Sequence, residues 1–186
     1  MTQMDLLQRA IDQTGRIVAG VKPEQLGDPT PCTNWDVTAL LNHTIGAVQL
    51  FERSVQGEEL DFSILGQDLV GDDAGAAYEE RARKLRAILS APDVLDHDWN
   101  MPFGKVPAEQ GLAGAAMEIT QHGWDIARAT GQDIDFDPDV TEFVFETARG
   151  IPDEFVRNEF VFGPKVAPAA DAPLADQLAA YLGRQI

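Results

Sequence analysis

Apolar side chains recur every three or four residues along most of the chain, which is the period of helices and not of strands. Between residues 3 and 20, Leu7, Ala10, Ile11, Thr14 and Val18 share one face, and Val21 extends it. The loop at 22–32 is punctuated by Pro23, Gly27, Pro29 and Pro31. Thr33 and Asp36 have the spacing of a capping box, which predicts a second helix starting at Thr33. Its apolar side is Val37, Leu40, Leu41, Thr44, Val48 and Phe51, with His43 on the flank beside Ala47. A third helix is expected from about Asp73 to Ser90, with Tyr78, Ala82, Leu85 and Leu89 aligned over a charged outer face. Pro107 suits the first position of a fourth helix and Gly131 its C-terminal cap. A fifth begins with Asp137 as cap and Pro138 just inside, its core side being Val140, Phe143, Val144, Thr147 and Ala148. A short last helix, from about Pro173 to Leu182, packs through Leu174, Leu178, Tyr181 and Leu182.

The remaining segments are connectors. Residues 57–71 form a long loop rich in glycine and acids, a length that usually serves a purpose such as covering a site. Residues 92–106 are irregular and leave room for one short extended piece; no β pattern is expected elsewhere. Phe155, Phe160 and Phe162 are expected to pin the 152–172 connector to the body. The architecture these elements imply is all-α, a bundle of four main helices with accessory helices and long connecting loops. Residues 1–186 read as one domain, in which 152–186 is a connector and short helix packed on the bundle.

Composition narrows the function classes. With 31 acidic against 14 basic residues the net charge is −17, which argues against nucleic acid or an anionic membrane as partner. The single cysteine, Cys32, excludes an intrachain disulfide and fits a reducing cytoplasm. The N-terminus shows no signal-peptide pattern, and no apolar run approaches the roughly 20 residues of a membrane span.

The fourth helix carries chemistry that a plain core does not need. At 100° per residue, Glu118, His122, Asp125 and Ala129 fall within roughly 60° of one another, flanked by Leu112, Ala115, Ile119 and Ile126. Charge on an apolar stripe must be paired, hydrogen-bonded or bound to a metal. A divalent cation is the most economical account, with Glu118 and His122 as an i, i+4 ligand pair and a further ligand from another helix. The other histidines are His43, inside helix two, and His97, in an acidic loop with Trp99; the last two read as loop residues, with overhanging the site as their functional alternative. Two imidazoles and a carboxylate suit zinc, and also nickel, iron(II) or manganese; three protein ligands leave positions open, as in catalytic sites. The competing account is an ordinary i, i+4 polar pair, with His43 a satisfied helix-flank histidine. Asp125 is expected to hold a ligating imidazole through its other N–H, the alternatives being a metal ligand in its own right or a surface aspartate paired with Arg128. Gly111, Gly114 and Gly123 weaken this helix unless something approaches it closely. Cys32, just before helix two, is either a thiol activated by the helix dipole or a small buried residue.

Several stretches together resemble one actinobacterial family: Thr30-Pro-Cys-Thr-Asn-Trp-Asp-Val37, Leu40-Leu-Asn-His43, Met101-Pro-Phe-Gly104, Glu118-x3-His122-Gly-Trp-Asp125-Ile-Ala, Phe162-Gly-Pro and Leu182-Gly-Arg184. The chain is similar to the metal-binding group of the DinB-like superfamily, related to the N-terminal domain of mycothiol-dependent maleylpyruvate isomerase. The resemblance implies a DinB-type four-helix bundle and a metal held by His43, Glu118 and His122. It also implies a low-molecular-weight thiol cofactor: mycothiol, bacillithiol or glutathione. The isomerases it resembles carry an additional C-terminal domain that helps build the active site, whereas here only residues 152–186 follow the fifth helix.

The function expected from both lines is a metal- and thiol-dependent transferase or isomerase acting on a small electrophile. Asp125 is the nearest candidate for a catalytic base. The expected partners are the small-molecule substrate and the thiol, with the protein a monomer or homodimer. The alternatives are a non-catalytic metal- or ligand-binding stress protein, a metal-dependent hydrolase, or an interaction bundle whose polar stripe is a hydrogen-bonded core cluster.

Overall fold

The computed structural model of the protein describes residues 1–133, 135–157 and 162–186, with the side chains of Phe155 and Val156 also outside the described set. Its elements are helices α1 (Gln3–Ala19), α2 (Val37–Val55) and α3 (Ala74–Leu89), strands β1 (Trp99–Met101) and β2 (Gly104–Val106), then helices α4 (Ala108–Thr130), α5 (Pro138–Gly150), α6 (Asp153–Val156) and α7 (Leu174–Tyr181). One-turn 3₁₀ helices at Pro23–Gln25 and Phe62–Gly66 interrupt the first two long connections.

On the first three helices the faces expected from periodicity are the faces buried, whereas on α5 Thr141 and Phe145 join Val140, Val144 and Ala148 inside, and Phe143 and Thr147 are only half-buried. On α1, Leu7, Ala10, Ile11, Thr14 and Val18 are all inside. On α2, Val37, Leu40, Leu41, Thr44, Val48 and Phe51 are inside, and on α3 Tyr78, Ala82, Leu85 and Leu89. α1 packs against α3 and α4, and α2 against the same two, so α1 and α2 stand at opposite corners of a four-helix ring. α5 lies against α4 and α1, and α7 against α5 and α4. The fold is all-α, with one small antiparallel hairpin pairing Trp99 with Val106 and Met101 with Gly104. No helix among the described residues is long and apolar enough to cross a membrane.

Three local expectations shift. The cap of α2 is Asp36, whose side chain accepts from the Ala39 amide at 2.8 Å, so the helix starts four residues beyond Thr33. Pro107 is the cap of α4 and not its first residue. The extended piece at 92–106 is a hairpin, three residues a side, too short for alternation to register. Gly131 and Asp137 cap their helices as expected, and Asp73, expected near the start of the third helix, is its cap. Of the aromatic cluster, Phe162 packs against the core, while Phe160 and the side chain of Phe155 lie outside the described residues.

The glycines of α4 make room for neighbours. A Cβ at Gly123 would stand 2.5 Å from Thr14 Oγ1, and one at Gly111 2.5 Å from the Trp99 ring. The close approach at Gly123 lets Thr14 donate to the Ile119 carbonyl at 3.0 Å. That bond ties α1 to α4 one residue beyond Glu118.

Candidate metal centre

α2 and α4 are packed neighbours, and their polar side chains meet where the two helices face each other. His43 Nε2 lies 2.8 Å from Glu118 Oε1. His122, one turn along α4, places its own Nε2 3.2 Å from the same oxygen. The candidate ligand atoms of His43, Glu118 and His122 all lie within 4.8 Å of one another. His122 is nearly enclosed, with 10% of its side chain exposed, while His43 and Glu118 keep 22% and 35%. The trio therefore sits at a partly open mouth with an enclosed back.

Trp35 roofs this mouth. Its ring centroid is 4.5 Å from that of His43 and 6.0 Å from that of His122. The two imidazoles meet edge to face at 4.8 Å. The loop that carries Trp35 is folded by its own sequence. Thr30 Oγ1 accepts from the Cys32 amide and donates to the Trp35 carbonyl at 2.8 Å, and the Val37 amide donates to the Asp28 carbonyl. This turn, continued by the Asp36 cap, lays Cys32 and Trp35 against α4.

Behind His122 lies a second cluster. His122 Nδ1 is 3.1 Å from Asp125 Oδ2, and Asp125 has no exposed side-chain surface. Arg184, near the C-terminus, donates to both carboxylate oxygens at 2.9 Å, Nε to Oδ1 and Nη2 to Oδ2. The Cys32 thiol donates to Asp125 Oδ2 at 3.2 Å and accepts from Arg184 Nη2 at 3.3 Å. Gln121 Nε2 adds a longer bond to Oδ1 at 3.3 Å. Arg128 does not pair with Asp125; it lies over the Trp124 ring.

The electrostatics follow from this arrangement. Burial works against the charge on Asp125, but the His122 hydrogen bond and the Arg184 fork outweigh it and hold the carboxyl at about 2. Burial likewise disfavours the Glu118 anion, yet His122 and His43 keep its pKa well below the usual value. Burial lowers the basicity of His122, but carboxylates at both ring nitrogens override it and raise its pKa well above 6.5. Burial pushes the Cys32 thiol up despite His122. Cys32 also stands four residues before the cap of α2, so of its two readings the dipole-activated thiol is set aside: it is a hydrogen-bonded, half-buried one.

Among the described residues two groups have the composition of a metal site: His43, Glu118 and His122, and Cys32, His122 and Asp125. The second already contains a cation, because the Arg184 guanidinium contacts both Asp125 and Cys32. The first has none so placed: among the described residues no lysine or arginine lies within ion-pair distance of Glu118. Two imidazoles and one carboxylate, converging from two helices with no lysine or arginine beside them among the described residues, fit a divalent cation.

His97 and Trp99 do not overhang this mouth. His97 Nε2 lies 2.8 Å from the Val55 carbonyl at the far end of α2, and Trp99 is buried with its Nε1 donating to the Val94 carbonyl. Both secure the hairpin region. Trp35 and Arg184 received no role from the sequence, although each lies within a stretch that carried the resemblance. The signal available for Arg184 was the glycine immediately before it, at the end of an apolar helix.

Comparison with known proteins agrees with this architecture. Residues 7–127 match the family model described as the mycothiol maleylpyruvate isomerase N-terminal domain. An uncharacterized protein of Mycobacterium tuberculosis, found in two strains, is 31% identical over 180 residues, covering 96% of each chain. Among solved structures, the mycothiol-dependent maleylpyruvate isomerase superposes with a TM-score of 0.64 at 16% identity, over 78% of this chain and 66% of that one. A histidine-to-alanine mutant of that enzyme gives 0.60 at 17% identity. These two similarities speak to the fold, and the chain spans just under two thirds of the isomerase's length. By the match to residues 7–127 and the full-length relatives, the chain belongs to the mycothiol maleylpyruvate isomerase N-terminal domain family.

Proposed function

We propose that this protein binds a divalent cation, zinc being the best match to the donors, through His43, Glu118 and His122. We further infer that it uses the cation with a low-molecular-weight thiol, mycothiol by family membership, in a transferase or isomerase reaction on a small electrophile. The observation that carries the reading is the convergence of three donor atoms from α2 and α4 at a partly open mouth. Family membership supplies the link to mycothiol.

A cation held by His43, Glu118 and His122 would supply Lewis acidity that favours the thiolate form of a thiol, the nucleophile needed for conjugation or for reversible addition in cis–trans isomerisation. The chain's own contributions are to hold, orient and shield. His43 and His122 present Nε2 from two helices, and Glu118 contributes the negative charge. Asp125 accepts a hydrogen bond from the Nδ1–H of His122, which leaves Nε2 as the nitrogen that would ligate. This occupied, Arg184-bound carboxylate is a poor proton acceptor, so Asp125 serves His122 and not the substrate. Trp35 covers the two imidazoles and limits water at the mouth. A cytoplasmic location and a monomeric or dimeric state suit this chemistry.

The test is metal analysis of tag-free protein, followed by mycothiol-consumption assays with a panel of electrophiles on wild type and His122→Ala. About one equivalent of zinc and a thiol-consuming rate lost in His122→Ala are expected. A wild type without stoichiometric metal overturns the reading. Metal uptake with no thiol-dependent rate on any electrophile leaves a sequestration role, and turnover of esters or amides without thiol marks a hydrolase.

A further inference from the structure

The segment after α7 reaches back into the bundle in a way that its own stability does not require. α7 ends in a Schellman motif: the Gly183 amide donates to the Ala180 carbonyl, and the Arg184 amide donates to the Ala179 carbonyl at 2.9 Å. Gly183 has φ +87, and a Cβ there would stand 2.8 Å from the backbone of Gly163. Two glycine backbones thus cross closely, and the crossing turns residue 184 inward. Its side chain is 90% buried, 59 residues along the chain from Asp125.

What Arg184 finds there is a carboxylate with no exposed surface that touches a candidate metal ligand. A carboxylate has two oxygens and a few lone pairs, and here each is assigned. Oδ1 takes the Arg184 Nε–H and the amide of Gln121; Oδ2 takes Arg184 Nη2–H, the Cys32 thiol and His122 Nδ1. The bidentate fork fixes the plane of the carboxylate, and the plane fixes where Oδ2 meets the imidazole. A ligating histidine needs its other nitrogen held in this way to fix ring orientation and tautomer.

We propose that Arg184 is a positioning residue for the metal centre: the C-terminal segment acts as a clasp that holds Asp125 so that His122 keeps its proton on Nδ1 and aims Nε2 at His43 and Glu118. The inference rests on the metal reading above and adds that metal affinity depends on a side chain that never touches the metal. It also accounts for the second donor group. Cys32 and Asp125 are not an alternative ligand set but the anchor of the clasp, and Arg184 supplies the positive charge that a metal would supply there.

The test is titration of metal-free, full-length protein with cobalt(II), read by its d–d absorption and by competition with a chromophoric chelator. Wild type, Arg184→Ala, Arg184→Lys and Trp124→Phe are compared. Trp124→Phe removes the indole bond to Asp176 on α7 and controls for loosening that helix without touching the clasp. Arg184→Ala is expected to bind cobalt about 10- to 100-fold more weakly. Arg184→Lys, which keeps charge and bulk, should lose a smaller factor and serves if Arg184→Ala does not fold. Trp124→Phe should bind as wild type does. Millimolar guanidinium should restore part of the affinity of Arg184→Ala, and long-range ¹H–¹⁵N spectra of loaded wild type should show His122 protonated at Nδ1. Wild type that binds no cobalt overturns the metal reading and the clasp together. Wild type that binds cobalt, with Arg184→Ala and Arg184→Lys binding equally well or losing no more than Trp124→Phe, overturns the clasp alone.

Discussion

The two sides of the His122 ring are furnished differently. At Nε2 stand His43 and Glu118, each partly open to solvent and, among the described residues, with no lysine or arginine pairing the carboxylate. At Nδ1 stands Asp125, fully buried, forked by Arg184 and touched by the Cys32 thiol. Both sides contain a carboxylate near an imidazole, yet only one of the carboxylates is also forked by a guanidinium. Nearly equal lists of residue types thus describe one place where only imidazoles face the carboxylate and one that already holds a permanent cation.

Removing the shared ring tests both sides at once. His122→Ala should weaken zinc binding by more than about 100-fold, since losing even an outer partner of a ligand costs about 10- to 100-fold; equilibrium dialysis against zinc measures it. Near-wild-type binding would show that His43 and Glu118 suffice. Next, the buried side should matter far more to folding than the open one. Asp125→Ala strands a buried guanidinium and should cost about 3–5 kcal/mol in urea denaturation, whereas Glu118→Gln, at a site about a third exposed, should cost less than about 1 kcal/mol. Equal losses would erase the distinction.

The pH dependence sharpens the contrast. Asp125 and Glu118 have lowered pKa values in the folded protein, so their contribution is present above their ordinary values of 3.8 and 4.5 and fades as the pH falls, for Asp125 toward about 2. His122 has a raised pKa, so its contribution is complete below 6.5 and fades as the pH rises through the raised value. The metal-free protein should therefore be most stable between pH 4.5 and 6.5 with respect to this cluster. Saturating zinc should lift the alkaline side selectively, because the metal takes the deprotonated Nε2. Denaturation midpoints across pH, with chelator and with zinc, read this directly; identical alkaline limbs in the two series would count against a metal on that nitrogen. The smallest effect belongs to Cys32→Ser. A hydroxyl can replace the thiol donor to Asp125, so stability should change by no more than about 1 kcal/mol and zinc affinity by a few-fold at most. Complete loss of zinc would make the thiol a ligand.

The helices were legible because their buried faces repeat every three or four residues over several turns, as on α1 from Leu7 to Val18. Glu118 and His122 stood out for the same reason, being polar on a stripe that periodicity marks as inward. Local punctuation was less reliable. Thr33 and Asp36 both have capping chemistry, and only the turn bonded through Thr30 and Asp28 selects Asp36. The hairpin at Trp99–Val106 is too short for alternation to show. Arg184 was out of reach because its partner is 59 residues away on another helix, and no spacing rule joins two residues through a tertiary contact. Arg128, three residues from Asp125, was the partner that local spacing could offer.

Trp35 has an optical consequence. The chain has three tryptophans. Trp99 and Trp124 are sealed in the interior at 0% and 1% exposure, whereas Trp35 rests on both imidazoles of the candidate centre. Its emission is the one placed to dim when an open-shell ion such as cobalt or nickel arrives and to hold steady with zinc, which would make the indole an intrinsic gauge of occupancy, readable in real time without a dye.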